Sequence, residues 1–378
     1  MGLSEKRFRD LSMKIRDLAR QTTDFYRKYE KFSGPAIFAL GFIWDALTLR
    51  RIDNLSDNLI LLGYLVLTGI LIALSLRLQE GGRIPERLQG IAPRFPWVMQ
   101  FCFGGLFSSY VIFYFKSVSF TRTAFFFLIL VGLLIANEFL KNRLQNRTLL
   151  AVLYSFCCFS FLAFFIPVIL QIIRPWVFVL AGGIGTVFSL IVFASGLYTR
   201  NKKFAMKQAV RQVAAPILGV FLFLNVLYFT NLIPPVPLAL KTGHPYHAVA
   251  KTPEGFEVEY VTSSLLRFWR TWDDPFYWTP GASVYCLTAI FAPGSVQVPL
   301  LHVWSHKTDS GWKVTDRMPF NITGGRNGGY RWYSKKNSIV PGRWRVQIQT
   351  ATGQIIGEVN FTIKEDAAPR PLRTELIP

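Results

Sequence analysis

The stretch QVAAPILGVFLFLNVLYFTNLIPPVPLAL, Gln212 to Leu240, carries no charge between Arg211 and Lys241. It divides the chain. Before it, long apolar runs alternate with short basic segments. After it, the pattern is that of short strands separated by turns. The direction in which this run crosses a bilayer therefore sets the compartment of the C-terminal third. Its prolines, Pro234, Pro235 and Pro237, stop a helix and stiffen the exit.

The 378 residues are 51% hydrophobic and only 17% charged, against about 25% charged in soluble domains, which points to a membrane protein. A net charge of +20 raises nucleic acid as a partner. The placement of the charge removes that reading, because most of it lies in short segments between apolar runs. Four cysteines, three of them in apolar runs, leave one in the soluble part and no disulfide framework.

A membrane helix needs about 20 residues. Seven runs qualify over residues 34–240. Runs 58–76, 95–115, 148–173, 175–199 and 212–240 are bounded by charges. Runs 34–49 and 123–140 are weaker, since they hold Asp45 and Glu138. Lys and Arg number twenty-one in the N-terminal segment and the second, fourth and sixth loops, against five in the loops between. That bias alternates strictly only if all seven runs cross, with the N-terminus cytoplasmic and the chain leaving the seventh span on the far side. Small residues at four-residue spacing, Gly104/Ser108, Gly105/Ser109 and Ala181/Gly185/Ser189, read as close helix packing.

Residues 1–33 read as a basic amphipathic helix. Phe8, Leu11, Ile15, Leu18, Thr22, Phe25, Tyr29 and Phe32 make a seam of alternating three- and four-residue steps. It suits either a surface helix on anionic lipid or a homo-oligomeric coiled coil through residues 3–32. Beyond the last span, 241–281 reads as an aromatic-rich connector, 282–364 as a β-sandwich and 365–378 as a disordered tail. Val284 to Phe291 is almost wholly apolar, as in a strand buried on both faces. Trp344 to Thr350 alternates cleanly, and Ile355 to Ile363 returns beside it as a hairpin. The Gly324–Gly329 run reads as a hairpin loop. The expected fold class is an α-helical transmembrane bundle of about seven spans followed by an all-β sandwich of immunoglobulin-like type.

His302-Val303-Trp304, Arg331-Trp332-Tyr333-Ser334, Gly342-Arg343-Trp344-Arg345-Val346, Gly357 and Phe361 resemble the pattern of a bacterial domain-of-unknown-function family, the 2914 type. Trp44 to Asp53, WDALTLRRID, is similar to the polytopic region that accompanies it. The resemblance implies a bacterial inner-membrane protein with a periplasmic domain. It implies no mechanism and supplies no catalytic residues.

No nucleophile elbow, phosphate-binding loop, dinucleotide fingerprint or CxxC pair is present, so no catalytic residue, cofactor or metal is expected. His302 and His306, four apart on a strand, lie about 13 Å apart and do not share an ion. His302, Trp304 and His306 share one strand face. With Arg331, Trp332, Lys335 and Lys336 they form the candidate ligand-binding set. Asp45 is the intramembrane polar candidate, close to the outer end of its run, with Arg50 or Arg51 in reach. The expected role is a non-catalytic one. A periplasmic sandwich, anchored among membrane lipids, binds or scaffolds an envelope protein or glycan. The alternative is a transporter or membrane-embedded enzyme for a lipid-linked substrate, with Asp45 central.

Overall fold

The computed structural model describes residues 42–377 except 44, 48, 50–53, 116–123, 140–143, 199–202, 236, 262–271, 295, 326–327 and 367–369. The amphipathic segment 3–32 and most of the run 34–49 lie outside the described residues. Six long helices follow: α1 (Leu55–Gln79), α2 (Phe95–Phe115), α3 (Ala124–Phe139), α4 (Arg147–Leu170), α5 (Pro175–Leu197) and α6 (Lys203–Phe229). Among the described residues, five stretches are long and apolar enough to cross a membrane: Leu55–Gln79, Ala92–Tyr114, Arg147–Leu170, Pro175–Leu197 and Arg211–Phe229. The described part of α3, 16 residues, reaches about 24 Å at about 1.5 Å per residue, and the residues on either side of it lie outside the described ones.

Local chemistry sets the helix ends. Asn54 accepts from Ser56 N at 3.2 Å and Asn146 from Leu149 N at 3.0 Å, capping α1 and α4. Gln171 at φ 54° breaks the chain between α4 and α5, and Pro175 opens α5. Inside the bundle, hydroxyls bond back to their own helices, among them Thr68 to Tyr64 O and Ser189 to Gly185 O. This hides polar groups in an apolar medium. Tyr110 and Tyr154 instead donate across helices, to Cys157 O at 2.8 Å and Leu65 O at 3.2 Å. Gln100 and Asn137 exchange amide-to-carbonyl bonds at 3.0 and 3.1 Å, joining α2 to α3. The small-residue spacing sits in helix contacts. A Cβ on Gly185 would stand 3.1 Å from the α4 backbone at Cys158 and Phe159.

Among the described residues, the C-terminal part has eleven strands in three sheets. β1 (Ala239–Tyr246), β5 (Val284–Phe291) and β8 (Tyr330–Lys336) form one, in the order β1-β5-β8. The largest runs β4-β10-β9-β6-β7, from β4 (Phe276–Trp278), β10 (Ile355–Glu365), β9 (Gly342–Thr350), β6 (Gln297–Thr308) and β7 (Gly311–Thr323). The third, β11-β3-β2, joins β11 (Leu372–Ile377), β3 (Phe256–Val261) and β2 (Ala248–Lys251). The first two sheets face each other over a core of Trp304, Trp344, Val346, Ile348, Phe361 and Ile290. The third lies on the far side of the first, where Val258, Tyr260 and Phe256 meet Tyr285, Leu287 and Tyr333. β5 is thus covered on both faces, which is why its sequence does not alternate.

Four sequence boundaries move. The apolar run 212–240 is not one span. Its helix ends at Phe229, Asn231 turns the chain at φ 60°, and Leu238 is wholly buried in the β core. Its last residues are apolar because they pack between sheets. The described part of the connector 241–281 is largely sheet, since β1 pairs with β5, β2 with β3 and β4 with β10. The tail 365–378 is not all irregular, because Leu372–Ile377 pairs antiparallel with β3 from Val261 to Phe256. The Gly324–Gly329 run closes no hairpin, since β7 pairs with β6 and β8 with β5. Gly324 and Gly325, at its start, press on the β5–β6 turn. A Cβ on Gly324 would stand 2.5 Å from Pro293 O, so that close approach needs glycine.

The sandwich stands on one end of the bundle. Tyr228 of α6 donates to Gln354 Oε1 at 2.8 Å, Gln171 lies against Gly294, and Ile173 packs on the sandwich core. The β5–β6 and β9–β10 turns therefore face the helices. The opposite ends of these strands point away from them.

Candidate functional site

Strand alternation decides which side chains reach the surface. On β6, His302 and Trp304 point between the sheets and are fully buried. They form a closed polar chain. Trp304 Nε1 donates to Ser334 Oγ at 2.9 Å, and Ser334 Oγ meets His302 Nδ1 at 2.9 Å. His302 Nε2 meets Thr288 Oγ1 at 2.9 Å, and Thr288 donates to Trp332 O at 3.2 Å. The indole N–H fixes one end as donor and the carbonyl fixes the other as acceptor. A neutral imidazole protonated on Nε2 satisfies every member. Burial pushes the His302 pKa down to about 3.

The rest of the sequence-derived set divides between the sandwich interior and the other face of β8. Trp332 stacks on Phe320 at 4.1 Å between the sheets. His306 tilts against Trp344 at 4.8 Å and meets Pro341 O at 3.3 Å. Lys336, 5% exposed, pairs with Asp316 and lies over the Trp344 ring. Burial raises the Asp316 pKa, but its bonds to Lys336 and Thr315 win and hold it below the usual carboxylate value. Arg331 and Lys335 point the other way, with Lys335 over Tyr285 at 5.6 Å. These seven residues form no shared surface. Four of them, His302, Trp304, Trp332 and Lys336, line the sandwich interior, because β6 is flanked by β9 and β7 and β8 faces it, while His306 is partly exposed. Asp45 stands against Ser108 of α2, beside Tyr64 of α1. Arg50 and Arg51 lie outside the described residues.

The structure assembles two groups that the sequence did not flag. One joins His247 and Asp273. Asp273, 5% exposed, accepts Val261 N on both oxygens at 3.1 and 2.9 Å and meets His247 Nε2 at 3.1 Å. His247 stacks on Phe276 at 4.2 Å, while His244, its pKa pushed down to about 4 by burial, stacks on Trp272 at 4.0 Å. The group pins β3 to the start of β4. Among the described residues, no three His, Cys, Asp or Glu side chains converge as a metal site.

The other lies on the outer face of the five-stranded sheet. A bulge at Trp304/Ser305 against β7 sets the register there, so that Ser305 opposes Arg345 on one side and Val314 on the other. Arg345 lies over the Trp312 ring at 4.4 Å, with Trp312 39% exposed. Gln347 donates to Glu358 at 2.5 Å and accepts from Gln349 at 2.9 Å, and Arg345 reaches Glu358 at 3.9 Å. Two polar atoms are left over. Arg345 Nε and Ser305 Oγ, in a residue 1% exposed, have no hydrogen-bond partner among the described residues. Buried polar atoms are normally satisfied, and each exception calls for a reason. Lys307, Arg317 and Arg343 are exposed on the same face. The available signal was the alternation of Trp344 to Thr350, which marks Arg345, Gln347 and Gln349 as outward.

Residues 298–363 match the family model described as a protein of unknown function (DUF2914). No curated protein matches the chain. Among solved structures, an immunoglobulin-like protein from Pseudomonas aeruginosa is similar at 11% identity, over 34% of this chain and 98% of that one, with a TM-score of 0.19. An alkylpurine DNA glycosylase of Pseudomonas fluorescens, bound to DNA with an abasic-site analogue, is similar at 10% identity. It spans 75% of this chain and 82% of its own, also with a TM-score of 0.19.

Proposed function

We propose that this chain is a seven-span bacterial inner-membrane protein whose β domain stands in the periplasm and binds an envelope component, without catalysis of its own. The observation that carries this is the outer face of the five-stranded sheet, where the 39% exposed Trp312 indole lies on Arg345 among the exposed Lys307, Arg317 and Arg343. The site sits away from the bundle. From Thr350, next to the turn that meets Tyr228, β9 runs about 16 Å to Arg345 at about 3.3 Å per residue. That separation from the helices supports a face available to an envelope component.

Orientation rests on the alternating Lys/Arg bias. A reporter active only outside the cytoplasm, fused after Lys241, is expected to be active, and silence there would refute the seven-span topology. Binding is tested by a photo-crosslinking amino acid at Trp312 in living cells, with the same group at Lys335 on the opposite side as control. Adducts are expected from position 312 and not from 335. An absence of adducts at 312, or equal yields at both positions, would remove the proposed face.

A further inference from the structure

We propose that the Ser305–Trp312–Arg345 face takes an acidic saccharide, a hydroxyl-rich ring bearing a carboxylate or a phosphate. This rests on the reading of that face as the binding surface and names its ligand. Charge is the first argument. Three exposed cations, Lys307, Arg317 and Arg343, surround Arg345, and the acid on this face, Glu358, is already held by Gln347 and Arg345. An anion fits that balance, with the exposed cations as its charge-assisted donors.

The second argument is the kind of polar group. Gln347 and Gln349 form an amide ladder that ends on the Glu358 carboxylate, and Gln349 at its open end is partly exposed. An amide both donates and accepts, as a polyol requires. The third is the platform. Arg345 holds the Trp312 indole in place, at 39% exposure, on a regular strand. A rigid aromatic face presents C–H-rich rings with a flat apolar surface at little entropic cost. The position of the face at the end of the sheet far from the helices separates it from a lipid surface.

The test uses the purified full-length protein in detergent, titrated with three probes and read by tryptophan fluorescence and calorimetry. Hexagalacturonate carries carboxylates, pentamannosyl phosphate carries a phosphate, and cellohexaose is neutral. Binding is expected to one or both acidic probes and not to cellohexaose, and to weaken as salt rises. Arg345→Gln and Trp312→Ala should each weaken it at least tenfold. Arg331→Gln and Lys335→Gln, on the other side of the domain, should leave it unchanged. The relative strength of the two acidic probes assigns the anion. Equal binding of cellohexaose would overturn the acidic class. Binding that survives both Trp312→Ala and Arg345→Gln, in variants that keep the wild-type melting profile, would overturn the site. If no probe binds while position 312 still crosslinks to a protein in cells, the saccharide proposal fails and the binding face stands.

Discussion

Replacing His302 with Gln should lower the stability of the β domain at pH 7, and the gap from wild type should shrink as the pH falls toward 4.5. His302 sits neutral between two sheets, and burial lowers its pKa from 6.5 to about 3. The unfolded chain binds a proton at this residue below about pH 6.5, whereas the folded domain does so only near pH 3. The neutral imidazole therefore contributes stability that is complete above pH 6.5 and is lost as the pH falls through that window. The slope is about 1.4 kcal/mol per pH unit, so about 2–3 kcal/mol goes between pH 6.5 and 4.5. His244, also depressed by burial, adds in the same direction. Thermal unfolding in detergent, followed by tryptophan fluorescence for wild type and His302→Gln at both pH values, reads the effect. A gap that does not change with pH would show that His302 is not neutral in the fold. The chemistry behind the prediction is the chain from Trp304 to the Trp332 carbonyl. A second N–H on the imidazole would face Ser334 Oγ, which already accepts from Trp304.

The second large effect separates two tryptophans. Trp304 is fully buried, edge-on to Trp344 at 6.2 Å and to Phe361 at 6.1 Å. Trp304→Ala should cost about 3–5 kcal/mol, as large-to-small changes of buried aromatics do. At about 2–4 °C per kcal/mol for a domain of this size, the midpoint should fall by about 10 °C. Trp312→Ala, on the exposed face, should stay within about 1 kcal/mol of wild type and act on binding alone. Similar melting midpoints for the two variants would contradict the assignment of one indole to the core and the other to the surface.

Much of the architecture was legible in one dimension. Charge-free runs of membrane length, the alternation of Trp344 to Thr350 and the near-continuous apolar run of Val284 to Phe291 each specify a local state. That state follows from periodicity and from the cost of burying unpaired polar groups. Helices α1, α2, α4 and α5, strand β5 and the β9–β10 hairpin stand where those signals placed them. Where partners are distant in the chain, local signals failed. The C-terminal residues look like a tail by composition, yet 372–377 is a strand because β3, more than a hundred residues earlier, offers an edge.

The candidate site shows the same division. The sequence by itself determined that seven of the ten tryptophans follow Lys241, and that β9 turns Arg345, Gln347 and Gln349 to one side. It could not say which side is solvent. His302, Trp304, Trp332 and Lys336 carry surface chemistry in their residue types, but the facing sheet encloses them. Trp312 and Ser305 are inconspicuous in sequence, and only a bulge and a neighbouring strand bring them beside Arg345. Propensity and hydrophobic period are properties of a few adjacent residues. Burial, and with it the choice between core and site, depends on which sheet closes over which face. In this protein that was decided by the pairing of strands far apart in the chain.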